Sequence, residues 1–262
     1  IAVGTVINGR QIPMISPKLI PLPPLAEQQR IVAKIEELLP YIDRYEKAWN
    51  RLEDLNKRFP ADMQKSILQM AIQGKLVEQR PEEGTAEELY KQIQAEKQKL
   101  IKDGKIKKGK SLPEITVDEI PFDIPENWIW VRLGTIVKSI SAGGDKPSAF
   151  SKNKSTEYTV PVISNGETNK GIYGYTNKAE ILERSLTVSG RGTIGYAEIR
   201  TEPFLPIVRL LVIIPLEHTY LEYIKVAIQA FAEYGIGSAV KQLTVPMISP
   251  KLIPLPPLAE QQ

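Results

Sequence analysis

The stretch that decides the fold reads Pro21-Leu22-Pro23-Pro24-Leu25-Ala26-Glu27-Gln28-Gln29-Arg30. Proline fixes φ and has no N–H to donate. The prolines of this stretch therefore predict an extended, polyproline-like segment that a helix can follow but not include. Good helix formers continue from Leu25 to Gln73. At about 1.5 Å per residue, a helix of that length would span roughly 70 Å. The sequence therefore predicts an abrupt joint between an extended segment and a long helix.

Apolar residues along this helix recur at alternating steps of three and four. That spacing places them on one seam, as in a coiled coil, and favours burial against a partner helix. Pro40 and Pro60 lie inside the run and should each kink it, so several shorter helices in a bundle are the alternative to one kinked helix. The seam comprises Ile31, Ile35, Leu38, Ile42, Tyr45, Trp49, Leu52, Phe59, Met63 and Met70, with Asn56 as a polar member that can fix the register.

The joint occurs twice, because Pro13 to Gln29 recurs letter for letter as Pro246 to Gln262. The second copy breaks off where its helix should begin, and the chain starts on Ile1 rather than a methionine. Since a repeat reveals the architecture, we expect a piece of a longer two-repeat protein. The expected parts are the tail of a globular unit (1–20), the long helix (21–75), a second helix and basic linker (76–116), a globular unit (117–245) and the start of the second repeat (246–262).

Composition excludes several classes of protein. The 262 residues are 42% hydrophobic, which is ordinary for a globular chain. There is no cysteine, which excludes disulfides and thiolate chemistry and fits a reducing cytoplasm. The best candidate for a membrane span, Phe204 to Leu216, is too short and carries Arg209. The net charge of +3 is slight, so the placement of the positive charges decides whether nucleic acid is a partner.

The rest of the chain predicts a mixed α/β domain, and the fold class is therefore α+β, with that domain attached to a long coiled-coil-type helix. Thr85 to Lys102 reads as a helix that starts with a capping box of Thr85 and Glu88. The basic segment 102–110 is either a solvated loop or a phosphate contact. Trp128 and Trp130 are expected in the core. Expected strands are 158–163, 171–175, 185–188, 194–199 and 207–214, followed by a helix at 221–234.

The sequence carries no motif for catalysis. The lone His218 has no cysteine or second histidine with which to bind zinc. The run from Gly190 to Gly195 superficially resembles a dinucleotide fingerprint, but strand-like residues follow it where a helix is required. We therefore expect no metal site, no cofactor in this chain and no enzyme activity in the chain alone.

The polar loops of the domain carry the residue types that read DNA. Lysine and arginine neutralise phosphates, whereas Asn, Gln and Arg match base edges in the major groove. Arg191, on a glycine-flanked loop, could bond guanine bidentately or pair with a core carboxylate, and an ordinary hydrophilic loop set is the competing interpretation. The candidate DNA contacts are Lys138, Lys146, Lys152, Lys154, Asn165, Asn169, Lys170, Tyr173, Arg191 and Lys241.

The proline-to-helix joint, continued by Ile31-Val32, resembles the conserved region of the specificity (S) subunit of type I restriction–modification systems. The likeness extends through residues 65–77, 120–134, 190–195 and 237–244. It implies two target-recognition domains held apart by two long antiparallel helices, each domain reading one half of a bipartite DNA site. The helices would dock the modification (M) subunits. S-adenosylmethionine, ATP and Mg²⁺ would belong to the M and restriction (R) subunits.

This chain departs from that pattern in carrying one complete recognition domain and one long helix. The resemblance then implies a fragment, or a half-subunit that pairs with a second copy through the helix in a two-fold dimer. No membrane partner is expected. The rival hypothesis is a coiled-coil structural adaptor whose globular domain binds protein rather than DNA.

Overall fold

The computed structural model describes residues 19–107, 109, 111–232 and 242–262. Its longest helix, α1, is continuous over Leu25–Ile72 and includes both internal prolines, so the alternative of several shorter helices is wrong. The helix ends in a Schellman motif, with the N–H of Lys75 bonded to the carbonyl of Met70 and that of Gly74 to Ala71. Gly74 has a φ of +66°, and a Cβ there would lie 2.4 Å from the ring of Pro125. Only glycine suits this stop.

The chain divides into two compact units, Ile1–Pro60 and Ala61–Gln262. In the described part of the first unit, Leu19 to Pro24 has no regular secondary structure and α1 follows. The apolar seam residues of α1 are 40–67% exposed. Asn56 is exposed as well, and Tyr45 stacks on Trp49 with ring centroids 6.2 Å apart. These apolar side chains are exposed, as are most residues of α1, so their burial against a partner helix stays a prediction.

Helix α2, Ala86–Lys102, opens the main core of the second unit. The hydroxyl of Thr85 accepts the backbone N–H of Glu88 at 3.4 Å, so Thr85 caps the helix as predicted. Leu89 and Ile93 are buried in the same cluster as Ile72 from the end of α1. The core therefore includes residues that lie before the range 117–245 expected for the globular unit.

Nine strands and three further helices form the rest of the described second unit. The strands make a two-stranded sheet β1-β9, a four-stranded antiparallel sheet β2-β8-β5-β6, and a three-stranded sheet β4-β3-β7 in which β3 and β7 are parallel. The elements are β1 Ile129–Arg132, β2 Val137–Ala142, β3 Val160–Ile163, β4 Ile172–Thr176, β5 Ser185–Val188, β6 Ala197–Arg200, β7 Leu205–Pro206, β8 Leu211–Pro215, α3 Leu221–Phe231, α4 Val245–Ile248, β9 Leu252–Leu255 and α5 Leu258–Gln261. This confirms the α+β class.

Two predicted strands are shorter than expected because turns occupy their first residues. The strand expected at 207–214 begins at Leu211, since Val208 and Arg209 adopt left-handed φ values of 55° and 57°. The strand expected at 194–199 begins at Ala197, after Gly195 at φ 87°. The β5–β6 connection is thus a loop between antiparallel strands, which excludes the dinucleotide-binding interpretation of 190–195.

A buried arginine joins the end of the linker to the β1–β9 sheet. Arg132, in β1, is 5% exposed and donates to the backbone carbonyls of Pro113, Glu114 and Pro250 at 2.7–2.8 Å. Its fourth bond, 2.8 Å long, goes to the carboxylate of Glu119 and lowers the pKa of that group. Because each of these bonds is internal, the charge of Arg132 stabilises the fold and is not available to a ligand.

None of the helices in the described ranges is both long enough and apolar enough to cross a membrane. Trp128 is 5% exposed and belongs to the core, as predicted. Trp130 is half-buried, with its ring edge-on to Phe122 at 5.0 Å. The predicted end of α3, at residue 234, lies outside the described residues, as does the predicted tail up to Lys18.

Candidate nucleic-acid interface

Three connections of the second unit meet at Asn165, in the β3–β4 loop. Its side-chain oxygen accepts the backbone N–H groups of Gly190 at 2.8 Å and Arg191 at 3.3 Å, both in the β5–β6 loop. Its side-chain nitrogen donates to the carbonyl of Val208, in the turn before β8, at 2.7 Å. The amide of Asn165 therefore fixes the three connections relative to each other. This use favours a positioning role over direct base contact.

The side chain of Arg191 extends from this junction and is exposed. One of its terminal nitrogens, Nη2, donates to the side-chain oxygen of Gln242 at 2.7 Å. Because this partner is an amide, the described residues do not show the alternative in which Arg191 pairs with a core carboxylate. A guanidinium has five N–H donors, and in the described ranges no carboxylate pairs with that of Arg191, whose side-chain partner is Gln242. Arg191 thus keeps donors for a bidentate contact.

Lys146, Phe150, Lys152 and Tyr173 form a second group, here called the basic–aromatic cluster. The ammonium of Lys146 lies 3.7 Å from the ring centroid of Phe150, and that of Lys152 lies 4.7 Å from the ring centroid of Tyr173. Lys152 also donates to the carbonyl of Tyr173 at 3.0 Å. Within the described part of the chain, neither lysine forms an ion pair with a carboxylate. The rings hold two positive charges in place and leave them available to an anion.

Two other predicted cations are paired with carboxylates. Lys138 lies 2.5 Å from Glu183, and Lys170 lies 3.2 Å from Glu198, which also accepts from Lys225. Burial would raise the pKa of Glu198, but the hydrogen bonds from Lys225 and Lys170 outweigh it and lower that pKa. Glu198 therefore stays ionised near neutral pH. Lys138 and Lys170 should contribute less to phosphate binding than the basic–aromatic cluster.

The remaining predicted contacts are dispersed. Lys154 and Asn169 are exposed, and Asn169 has a left-handed φ of 50°. Tyr173 is 43% exposed. Lys241 lies outside the described residues. The structure thus brings Asn165 together with Arg191, and Lys146 with Lys152 and Tyr173.

The list of DNA contacts predicted from sequence did not include Arg209, nor Gln242, although the sequence placed Gln242 among the polar residues that surround the basic ones. Arg209 is exposed and directly follows the Val208 carbonyl that Asn165 binds. Both residues are far along the chain from Asn165, so their proximity comes from the strand order, which the sequence did not reveal. A glutamine beside a long polar loop was visible in the sequence, but nothing there linked it to Arg191.

The described ranges contain no group of three or more His, Cys, Asp or Glu side chains placed to hold a metal ion. A cavity of about 710 Å³ in the second unit is lined mainly by apolar and proline residues, including Phe122 and Phe231. Its one buried charged side chain among the described residues, Arg132, makes the four internal hydrogen bonds described above. The cavity shares no residue with Asn165, Arg191 or the basic–aromatic cluster.

Comparison with curated proteins finds several specificity subunits. The specificity subunit of the type I restriction enzyme EcoAI from Escherichia coli is 33% identical over 199 residues, covering 62% of this chain and 33% of the relative. A putative type I specificity subunit from Mycoplasma pneumoniae, S.MpnORF507P, is 35% identical over 137 residues, covering 52% and 38%. The chain thus spans about a third of the length of these relatives.

Two solved structures were also compared. The HsdS subunit from Thermoanaerobacter tengcongensis covers 92% of this chain, which spans 49% of that subunit, at 19% identity and a TM-score of 0.45. The S subunit from M. genitalium covers 79% of this chain, which spans 49% of it, at 12% identity and a TM-score of 0.43. A family model for the type I restriction modification DNA specificity domain matches residues 125–262. Because that match takes in more than half of the sequence, the chain belongs to the family of type I restriction modification DNA specificity domains.

Proposed function

We propose that this chain is a non-catalytic DNA-recognition subunit of a type I restriction–modification complex and that its recognition domain reads one half of a bipartite site. The observation that carries the proposal is the junction at Asn165, where the backbone of an exposed Arg191 is held by the amide of Asn165 and its guanidinium by the amide of Gln242, with no carboxylate partner among the described residues. Arginine bound bidentately to the O6 and N7 of guanine is the commonest specific contact in the major groove. The names of the relatives, which are specificity subunits, support the same function.

Phosphate contacts come from a different part of the domain in this proposal. Lys146 and Lys152 hold their charges on aromatic rings without carboxylate partners, and Lys154 is exposed nearby in sequence. Such contacts add affinity for any DNA sequence and position the protein on the duplex. We therefore expect the basic–aromatic cluster to contribute mainly to affinity and Arg191 to contribute mainly to sequence preference.

The proposed protein partners are inferred from the exposed apolar seam of α1. Its apolar seam is 40–67% exposed, which is a large hydrophobic surface for a helix in water. We propose that the seam docks modification subunits, with restriction subunits joining the complex, or packs against a second copy in a two-fold dimer. S-adenosylmethionine, ATP and Mg²⁺ are assigned to those subunits, and the cytoplasm is the proposed location. A stable monomer by light scattering at micromolar concentration would count against the dimer.

A salt titration tests DNA recognition. The chain is incubated with a pool of random duplexes at about 50 to 200 mM salt, bound duplexes are sequenced after repeated selection, and affinity for the enriched duplex is measured at each salt concentration. We expect an enriched pattern of a few base pairs and an affinity that falls linearly on a log–log plot. Binding without salt dependence, or no enriched pattern, would reject the proposal.

The rival adaptor hypothesis predicts no DNA binding in this titration. The relatives described above are each named as specificity subunits, which gives the adaptor no support. It would regain support only if the basic–aromatic cluster and Arg191 could both be replaced without any change in DNA affinity.

A further inference from the structure

The turn between β7 and β8 is strained at two positions whose side chains do not contribute to the core. Val208 and Arg209 have left-handed φ values of 55° and 57°, a conformation that is costly for residues other than glycine and most of all for a β-branched one. Val208 is 43% exposed and Arg209 is exposed, whereas Ile207 and Leu210 on either side are buried. Glycine or asparagine would fit this backbone with less strain. Packing therefore explains Ile207 and Leu210 but not the side chains between them.

Backbone hydrogen bonds hold the turn in this conformation. The N–H of Val208 donates to the carbonyl of Gly144 at 2.8 Å, and that of Arg209 donates to the carbonyl of Gly143 at 3.0 Å. A Cβ on Gly143 would lie 2.6 Å from the backbone that leads into the turn, so glycine permits this close approach. The carbonyl of Val208 also accepts from the side chain of Asn165. Because the turn is already ordered, little conformational entropy remains to be lost when it binds a ligand.

The turn lies beside the loop that carries Arg191. A Cβ built on Gly190 would be 3.5 Å from the carbonyl oxygen of Arg209, so the two backbones lie against each other. The amide of Asn165 bridges them, because it accepts the N–H of Arg191 and donates to the carbonyl of Val208. Both arginine side chains are exposed, and among the described residues no carboxylate pairs with either. Two like charges thus leave one junction, an arrangement that a polyanion would stabilise.

We propose that the turn at Val208 and Arg209 is a second base-reading element, in which Arg209 binds the O6 and N7 of a guanine close to the base read by Arg191. An arginine fork matches these two acceptors on the major-groove edge of guanine. Since the two backbones lie against each other and successive bases are about 3.4 Å apart, the second guanine should be roughly one or two base pairs from the first. This inference rests on the proposed function, because it requires the domain to enter the major groove.

A phosphate contact is the alternative use of an exposed arginine. It would weaken binding to every sequence alike and lower the salt slope, whereas loss of a base contact affects one base pair. A bidentate contact depends on a fixed direction of approach more than the attraction of a point charge does. The ordered turn and its position against the Arg191 loop therefore favour the base contact over the phosphate contact.

The test uses the duplex that the native chain enriches in the titration described above, with its base pairs changed one at a time. Arg209→Ala should lower discrimination at one G·C pair by roughly 5- to 150-fold, and this pair should differ from the one that responds to Arg191→Ala. A preference retained at the Arg191-dependent pair shows that the variant is folded. If Arg209→Ala does not fold, Arg209→Lys replaces it. Lysine keeps the charge but lacks the planar fork, so discrimination should fall while the salt slope is kept.

A base analogue supplies a matched control. 7-Deazaguanine has a C–H group in place of N7 and keeps its Watson–Crick pairing. At the Arg209-dependent guanine it should weaken binding of the native chain several-fold and weaken Arg209→Ala little further, since the missing acceptor then has no donor to lose. At the Arg191-dependent guanine it should weaken both chains alike.

The outcomes distinguish this inference from the proposed function. A native chain that enriches no sequence would reject both. A native chain that enriches a sequence, combined with an Arg209→Ala variant that changes no preference or weakens all duplexes alike, would overturn only the reading role of Arg209.

Discussion

The side-chain oxygen of Asn165 accepts the backbone N–H of Gly190 at 2.8 Å and thereby ties the β3–β4 loop to the β5–β6 loop. Replacing Asn165 with Ala leaves the N–H of buried Gly190 without its partner. We expect the free energy of unfolding to fall by about 1–3 kcal/mol, measured by urea denaturation. The substitution also removes the bond that positions the backbone of Arg191. Selected duplexes should therefore lose the preferred base at one position. Asn177→Ala, at an exposed position, is the control and should change neither quantity.

Arg191 and Gln242 should differ in how their loss affects DNA binding. Arg191→Ala removes the proposed guanine contact, and we expect it to relax discrimination at one base pair by about 1–3 kcal/mol. Gln242→Ala keeps the guanidinium and loses its orientation, so a smaller relaxation is expected at the same base pair. Competition binding with duplexes that vary one base pair at a time measures both. Unchanged affinity and preference in Arg191→Ala would show that the residue has another role.

The basic–aromatic cluster should determine the salt dependence of binding. Each lysine that neutralises a phosphate of B-DNA adds about 0.9 to the log–log salt slope. We expect Lys152→Gln to lower the slope by about that amount and to weaken all duplexes alike. Lys138→Gln is the comparison, because Glu183 already lies beside Lys138. If the two variants had equal slopes, the distinction between paired and unpaired lysines would be wrong.

The sequence predicted the elements that local chemistry determines and missed those that depend on strand order. The extended proline block, the long helix and the cap at Thr85 each follow from neighbouring residues, and each is present in the described chain. By contrast, the start of β8 depends on left-handed residues at Val208 and Arg209, where no glycine signals a turn. The role of Asn165 likewise depends on connections that only the sheet topology brings together. The candidate contacts with DNA remain predictions.

Arg132 should matter for stability rather than for DNA. Arg132→Met removes the donors to three backbone carbonyls in a buried site. Each unsatisfied buried group costs about 1–3 kcal/mol, and the costs of neighbouring groups are less than additive. We expect the free energy of unfolding to fall by about 3 kcal/mol, measured by urea denaturation. Arg184→Met tests the contrast, because the Arg184–Glu222 pair lies at the surface and should cost no more than about 1 kcal/mol.

Glu96 should give the second unit part of its dependence on pH. Its carboxylate accepts the backbone N–H groups of Glu217 and His218 and lies 3.0 Å from Nδ1 of His218. Burial would raise the pKa of Glu96, but these hydrogen bonds outweigh it and the pKa is lowered. A carboxyl group with a lowered folded-state pKa stabilises the fold above its unfolded pKa, and this stability is lost as the pH falls through the folded value.

Glu96→Gln should therefore be less stable than the native chain at neutral pH, by about 1–3 kcal/mol, because one amide oxygen cannot replace the carboxylate. Urea denaturation between about pH 7 and pH 3 measures this gap, which is the difference in the free energy of unfolding between the native chain and Glu96→Gln. We expect it to narrow on acidification, since the native carboxylate becomes protonated while the amide does not titrate. Glu202→Gln, at an exposed position, controls for the general effect of removing a negative charge. A gap that stayed constant down to pH 3 would mean that the hydrogen bonds to Glu96 do not favour its ionised form.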